Sequence, residues 1–214
     1  MYIFPKNLYA DVRIEERYNL WFNVWNGDVQ GDGFMEEEGA IIRVYDGKMW
    51  YTGTTNNLDE IQMELDNLAT LATPNPDIEN DPVVKKFQVN KDQVLRFAGE
   101  QNVKNVTRDE WKGLVDYYID KCIDKSIPEI NSWGVFTSCN YLKKSFYSSK
   151  GAEIVQDMQN CWVGVNYNIT VDGVTTSGGK YYSKFYKVDL EGHEEEVIKE
   201  RDRYLDFARN AVQA

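Results

Sequence analysis

Apolar and polar residues alternate along the start of the chain. Ala10, Val12 and Ile14 interleave with Asp11, Arg13 and Glu15, the period of two that a half-buried strand shows. Leu20, Phe22 and Val24 then share one side against Trp21, Asn23 and Trp25. Asn26-Gly27 predicts a tight hairpin turn, because both residues tolerate positive φ. The polar stretch Asp28 to Glu38 reads as a solvated acidic loop. Ala40 to Tyr45 and Met49 to Thr52 form a second predicted hairpin across Asp46-Gly47, a type I′ sequence.

The period then lengthens. Leu58, Ile61, Leu65, Leu68 and Ala72 fall on one helical face, and Asn57 with Glu60 resembles a capping box. Thr73-Pro74-Asn75-Pro76 ends that helix, and Pro82 keeps the next stretch irregular. A short helix is expected over Lys91 to Gln101. Thr107 and Glu110 cap a stronger one, whose stripe is Trp111, Leu114, Val115, Tyr118, Ile119 and Cys122. Strands return after Pro128, at Gly134 to Tyr141 and Ser145 to Ser148, either side of Lys143-Lys144. Cys161 to Val171 alternates most clearly, Asp172-Gly173 supplies another hairpin turn, and Tyr181 to Val188 reads as a further strand. Val197, Ile198, Tyr204, Leu205, Ala208 and Val212 line a final helix. The order predicts an α+β fold of antiparallel hairpins and sheets with segregated helices. Residues 1–214 read either as one continuous domain or as 1–127 and 128–214, divided near Pro128.

Composition narrows the function. The chain has 214 residues, 14% of them aromatic, which argues against disorder. Its net charge of −11 disfavours nucleic-acid phosphate and anionic lipid as partners. No apolar run approaches the ~20 residues of a membrane span, and Met1 to Lys6 lacks the pattern of a secretion signal. Cys122, Cys139 and Cys161 are too few and too scattered for a disulfide scaffold, so reduced thiols and a cytoplasmic location are expected.

The single histidine, His193, leaves little room for metal or imidazole chemistry. His193-Glu194 opens like a zinc peptidase motif, yet neither an HExxH nor an HExxxH spacing finds a second histidine. An acidic first turn complementing a helix N-terminus accounts for Glu194 to Glu196. Asp28, Gln30, Asp32 and Gly33 imitate half a calcium loop, but the twelfth position is Gly39. Adventitious cation binding by Asp28, Asp32 and Glu36 to Glu38 competes there with a solvated loop. Gly27, Gly31 and Gly33 cannot cradle a phosphate, since five acidic residues and no lysine surround them. Ser132 and the cysteines lack a base other than His193, and Cys122 and Cys161 lie on core faces. Trp21, Trp25 and Trp162 point outward from strands, either under a covering element or as a stacking platform. Asp11 and Glu15, alternating along one strand, are the candidate acids of a small enzyme.

Several stretches read together resemble the N-terminal domain of the TldD/PmbA family, also described as microcin-maturation proteins or modulators of DNA gyrase. Tyr9 to Glu15 resembles its opening strand, and Asn26-Gly27-Asp28-Val29 its first turn. Gly39 to Val44 with Asp46-Gly47 resembles its glycine-to-arginine strand, and Thr52 to Leu58 its lead into a helix ending in small residues. Asn131-Ser132-Trp133-Gly134 is similar to its Asn-Ser-x-Gly element, and the last helix to the one leading out of the domain. Trp50-Tyr51 and Glu36-Glu37-Glu38 depart from the family pattern.

The resemblance implies a metallopeptidase whose HExxxH zinc site lies in a later region, with paired subunits enclosing a chamber for unfolded peptides. It therefore implies that this chain is a noncatalytic N-terminal domain, without a catalytic residue or cofactor of its own. Its partners would be a homo- or hetero-oligomeric family subunit and an unfolded peptide, with no nucleic acid and no membrane. A peptide-accepting sheet edge is placed at Asn131, Ser132, Trp133 and Gly134, where small and polar residues leave backbone accessible and Trp133 offers a stacking ring. Arg43 needs a carboxylate or carbonyl partner that the sequence does not identify. The alternative is a stand-alone module binding peptides or glycans through its outward aromatics.

Overall fold

A computed structural model describes residues 2–211, so Met1 and the expected helical position Val212 lie outside the described residues. The elements run β1 (Tyr9–Trp25), β2 (Asp28–Tyr45), β3 (Trp50–Thr55), α1 (Ile61–Leu71), α2 (Pro82–Lys85) and β4 (Lys91–Val94). After these come α3 (Arg108–Cys122), β5 (Ile130–Ser148), β6 (Glu153–Val171), β7 (Val174–Lys184) and α4 (Glu194–Ala211). The strands form one sheet in the order β3-β2-β1-β5-β6-β4, with β7 also paired to β6. The fold is α+β as expected, with one correction: β4 runs parallel to β6.

The chain divides into two compact units. The first takes Met1–Arg17, Glu36–Ala98 and Leu142–Met158; the second takes Tyr18–Met35, Gly99–Tyr141 and Gln159–Ala214. In the first unit, alternate residues of β1 and β2 (Ala10, Val12, Ile14, Ala40, Ile42, Val44) bury against Ile61, Leu65 and Leu68 of α1. In the second, Phe22, Val163, Val165 and Tyr167 are buried with Trp111, Leu114 and Tyr118 of α3. The Tyr167 hydroxyl donates to the Cys122 carbonyl at 3.1 Å, and α4 packs on β7. Thr107 and Glu110 close the expected capping box on α3.

Several expectations need correction. The predicted helix over Lys91 to Gln101 is β4 and a run of turns. Its N–H groups at Arg96 and Phe97 are taken by the Asp157 carboxylate, at 2.7 and 3.0 Å, so pairing with β6 outcompetes a weak local periodicity. The acidic loop Asp28 to Glu38 is part of β2. Charge does not prevent a strand there, because the backbone continues the hairpin started at Asn26 and Gly27, with φ of 51° and 92°. Lys143-Lys144 does not break β5, since Lys143 pairs with Glu16 at 2.6 Å and Lys144 with Glu15 at 3.2 Å within the first unit. The strand expected at Tyr181 to Val188 begins at Val174, pairs with β6 from Val171↔Val174 to Cys161↔Lys184, and ends at Lys184.

Asp46-Gly47 is also not a type I′ turn. Only Gly47 has positive φ, and Asp46 closes a wider loop with its carboxylate, accepting from the Lys48 and Met49 N–H groups at 2.8 Å each. The hydrogen bond from Met49 chiefly holds the Asp46 carboxyl below its ordinary value of 3.8. A carboxylate favoured by the fold stabilises it above the unfolded value, and that contribution disappears as pH falls through the lowered folded value. Asp46→Ala should therefore cost about 1–2 kcal/mol at neutral pH. Urea unfolding across pH should show this cost shrinking in acid below the ordinary value; a difference that stays constant would exclude the carboxylate as its source.

Candidate functional site

The residues expected to accept a peptide, Asn131 to Gly134, open β5 in the second unit. They form no sheet edge: β5 lies between β1 and β6. The Trp133 N–H donates to Asn26 Oδ1 at 2.8 Å, and the Trp133 carbonyl accepts from the Asn26 N–H at 2.9 Å. Asn131 Nδ2 donates to Thr170 Oγ1 at 2.9 Å, and Asn168 Nδ2 to Ser132 Oγ at 2.7 Å. Trp133 is buried. Gly134 is covered by Trp25 and Phe136, whose rings occupy the space a side chain there would need. The placement as an open edge is thus corrected. Small and polar residues in this order can equally mark an interior strand whose neighbours need room.

The other candidates are also tied into the fold. His193 stacks on Tyr182 with centroids 4.3 Å apart and 11° between planes, and its Nε2 lies 3.3 Å from the Asp189 carbonyl oxygen. Glu194 accepts from the Tyr117 hydroxyl at 2.6 Å, and Glu196 from the Tyr182 hydroxyl at 3.0 Å. Asp32 is ion-paired to Arg108. Among the described residues no group of three or more His, Cys, Asp or Glu could hold a metal ion.

The two strand acids do not face each other as a catalytic pair. Asp11 is fully buried and accepts from Arg43 Nε at 2.9 Å and Nη2 at 2.6 Å. Arg43 is stacked on Trp50, 4.6 Å from the ring centroid. The partner of Arg43 that the sequence could not name is thus Asp11, 32 residues earlier. Glu15 is held below its ordinary range, chiefly by a hydrogen bond from Arg17 and then by one from Lys144. It lines an open cleft of about 800 Å³ with Arg13, Arg17 and Glu36 to Glu38.

The cysteines depart from expectation. Cys139 and Cys161 are joined in a disulfide, with Cα atoms 3.9 Å apart. Their 22-residue separation hid a juxtaposition that only the packing of two long strands creates. Cys122 is free and buried, and burial pushes its thiol up to about 12, which leaves no thiolate for nucleophilic work.

Residues 10–72 match the family model described as PmbA/TldA metallopeptidase domain 1. The chain matches an N-terminal TldD/PmbA domain. The matched stretch covers β1 to the end of α1, the buried half-sheet and helix of the first unit. No curated protein matches the chain in sequence. Among solved structures, the fold is similar to a protein described as a modulator of a DNA gyrase from Thermotoga maritima, with a TM-score of 0.71 and 15% identity over 94% of this chain. A like-described protein from Bacteroides thetaiotaomicron gives 0.62 and 17% over 90%. TldE from Thermococcus kodakarensis gives 0.61 and 11% over 92%. The TldD/PmbA-like chain spans 44%, 45% and 44% of those three proteins, less than half of each. No helix among the described residues is long and apolar enough to cross a membrane.

Proposed function

We propose that this chain serves as the noncatalytic N-terminal domain of a TldD/PmbA-like zinc metallopeptidase, with the zinc site outside these residues. In this reading the domain contributes chamber wall and subunit interface, in a homo- or hetero-oligomer, and helps to hold an extended peptide during proteolysis. The observation that carries it is the family match over residues 10–72 together with a fold likeness covering 94% of this chain but 44% of its relative. Chemistry supports it too: the one histidine is engaged with Tyr182 and Asp189, the free thiol is buried, and the strand acids are tied to arginines. The −11 charge disfavours nucleic acid and membrane as partners, and the proposal includes neither. The proposed location is cytoplasmic, and the Cys139–Cys161 bond is the feature that pulls the other way, since such bonds persist mainly in oxidising compartments.

The test uses the purified 214-residue chain. Elemental analysis should find no stoichiometric zinc, and unfolded casein incubated with the chain and added zinc should stay intact. Tightly bound zinc accompanied by cleavage would overturn the assignment of a noncatalytic role.

A further inference from the structure

The strands of the second unit bury one face beneath α3 and α4, through Phe22, Val163, Val165 and Tyr167. The opposite face has an unusual composition. Along β6 and β7, Trp162, Gly164, Asn166, Asn168 and Thr170 stand beside Ser183, Tyr181, Gly179, Ser177 and Thr175 on that face, none of them charged, although 28% of the whole chain is charged; at the β1–β2 turn Asp28 shares the side of Trp25. The face also carries Trp, Tyr and Phe, carboxamides, hydroxyls and glycines.

The glycines explain how the rings lie. A methyl group at Gly33 would come within 3.1 Å of the Trp21 indole, and one at Gly31 within 3.5 Å. Trp25 covers Gly134 in the same way, and Tyr181 covers its cross-strand partner Gly164. Each ring therefore rests over a position without a side chain. Trp162 continues the row, 6.2 Å from Tyr181 between centroids. The carboxamides beside the rings are each held by one end. Asn166 Oδ1 accepts from the Tyr181 hydroxyl at 2.8 Å, Asn168 donates to Ser132, and Asn23 Oδ1 accepts from the Thr137 N–H at 3.1 Å. A recess of about 410 Å³ takes lining from Trp25, Asn166, Asn168, Ser177 and Tyr181 of this face and, past Gly178 and Gly179, from Tyr204 of α4 on the other.

We propose that this face binds a neutral, unbranched oligosaccharide. Its sugar rings stack on Trp21, Trp25, Trp162 and Tyr181, and its hydroxyls bond to the oriented carboxamides of Asn166 and Asn168. Charge selects the ligand class. A polyanion would find no cation along β6 and β7 on this face, Asp28 on the side of Trp25, and a chain of net charge −11 behind it. A polypeptide laid along β6 and β7 would find no counter-charge there for its ionised side chains. It would also lack main-chain partners, because the sheet uses its own backbone groups between strands. A neutral sugar needs neither: its C–H face matches a flat ring, and its hydroxyls match fixed amides. The inference stands apart from the proposed peptidase role, and its failure would leave that role untouched.

The six tryptophans make the test internal. Trp21, Trp25 and Trp162 lie on the proposed face; Trp111 and Trp133 are buried, and Trp50 belongs to the first unit. Titration with cellohexaose, maltohexaose, xylohexaose and mannohexaose, followed by the indole N–H signals in NMR, should move the first three with at least one sugar and leave the others in place. Tyr181→Ala and Trp162→Ala should each weaken that sugar about tenfold. The wild-type indole pattern decides the question even if a variant fails to fold. Immobility of all six with all four sugars would overturn the proposal, as would equal movement of all six. It is also overturned if unfolded casein moves the three indoles while sugars do not, or if the face proves to hold a second copy, seen as a dimer that Tyr181→Ala separates.

Discussion

Replacing Arg43 with Met is expected to destabilise the protein by about 3–5 kcal/mol, the cost of leaving one partner of a buried ion pair alone. The Asp11 side chain is entirely shielded from solvent and takes both of its short hydrogen bonds from Arg43. Its remaining cationic neighbour, Arg13, is half exposed and stands 3.6 Å away. Met keeps the apolar stem that lies along Trp50 but supplies no donor, so a charged oxygen pair would stay buried without its partner. The double change Arg43→Met with Asp11→Leu should recover most of the loss, because removing both charges removes the desolvation penalty. Urea unfolding of the three variants measures this directly. A single-variant loss below about 1 kcal/mol would mean that water reaches Asp11.

The second large effect is expected at Trp111, the largest of the fully buried side chains. Trp111→Ala should cost about 3–5 kcal/mol, through lost burial and the cavity left behind. The indole carries a twist: its Nε1 is buried without a hydrogen-bond partner. An unmet donor costs about 1–3 kcal/mol, which Phe at this position would not incur. Trp111→Phe should therefore fall well short of the alanine cost, with the missing ring volume offset by relief of that donor. Thermal and urea unfolding of the pair would check it. A Phe variant as damaged as Ala would show that the N–H is satisfied in solution.

The local features of this fold were legible in the sequence wherever a short-range rule decides the geometry. Thr107 and Glu110 cap α3 as their spacing requires, and Asn26-Gly27 and Asp172-Gly173 adopt positive φ at both turn positions. The alternation of Ala10, Val12 and Ile14 continues in phase through Leu20, Phe22 and Val24, all within β1. The expected helix at Lys91 failed because a four-residue strand takes its stability from a neighbour, and no local pattern announces the neighbour. The edge placement of Asn131 to Gly134 missed for a related reason. Asn131 to Gly134 has the composition of an accessible edge, but whether a strand is an edge depends on which strands flank it.

Sequence alone determined the α+β character, the turns, the helix caps, the poverty of catalytic groups and the family resemblance, because each rests on residues near one another or on composition. Tertiary structure decided the Asp11–Arg43 pair, the Cys139–Cys161 bond, the interior position of β5 and the rings seated on glycines in the second unit. Those features depend on strand order and register, which bring together residues dozens of positions apart. The free energy that sets register is collective burial and backbone pairing, not the identity of any one residue.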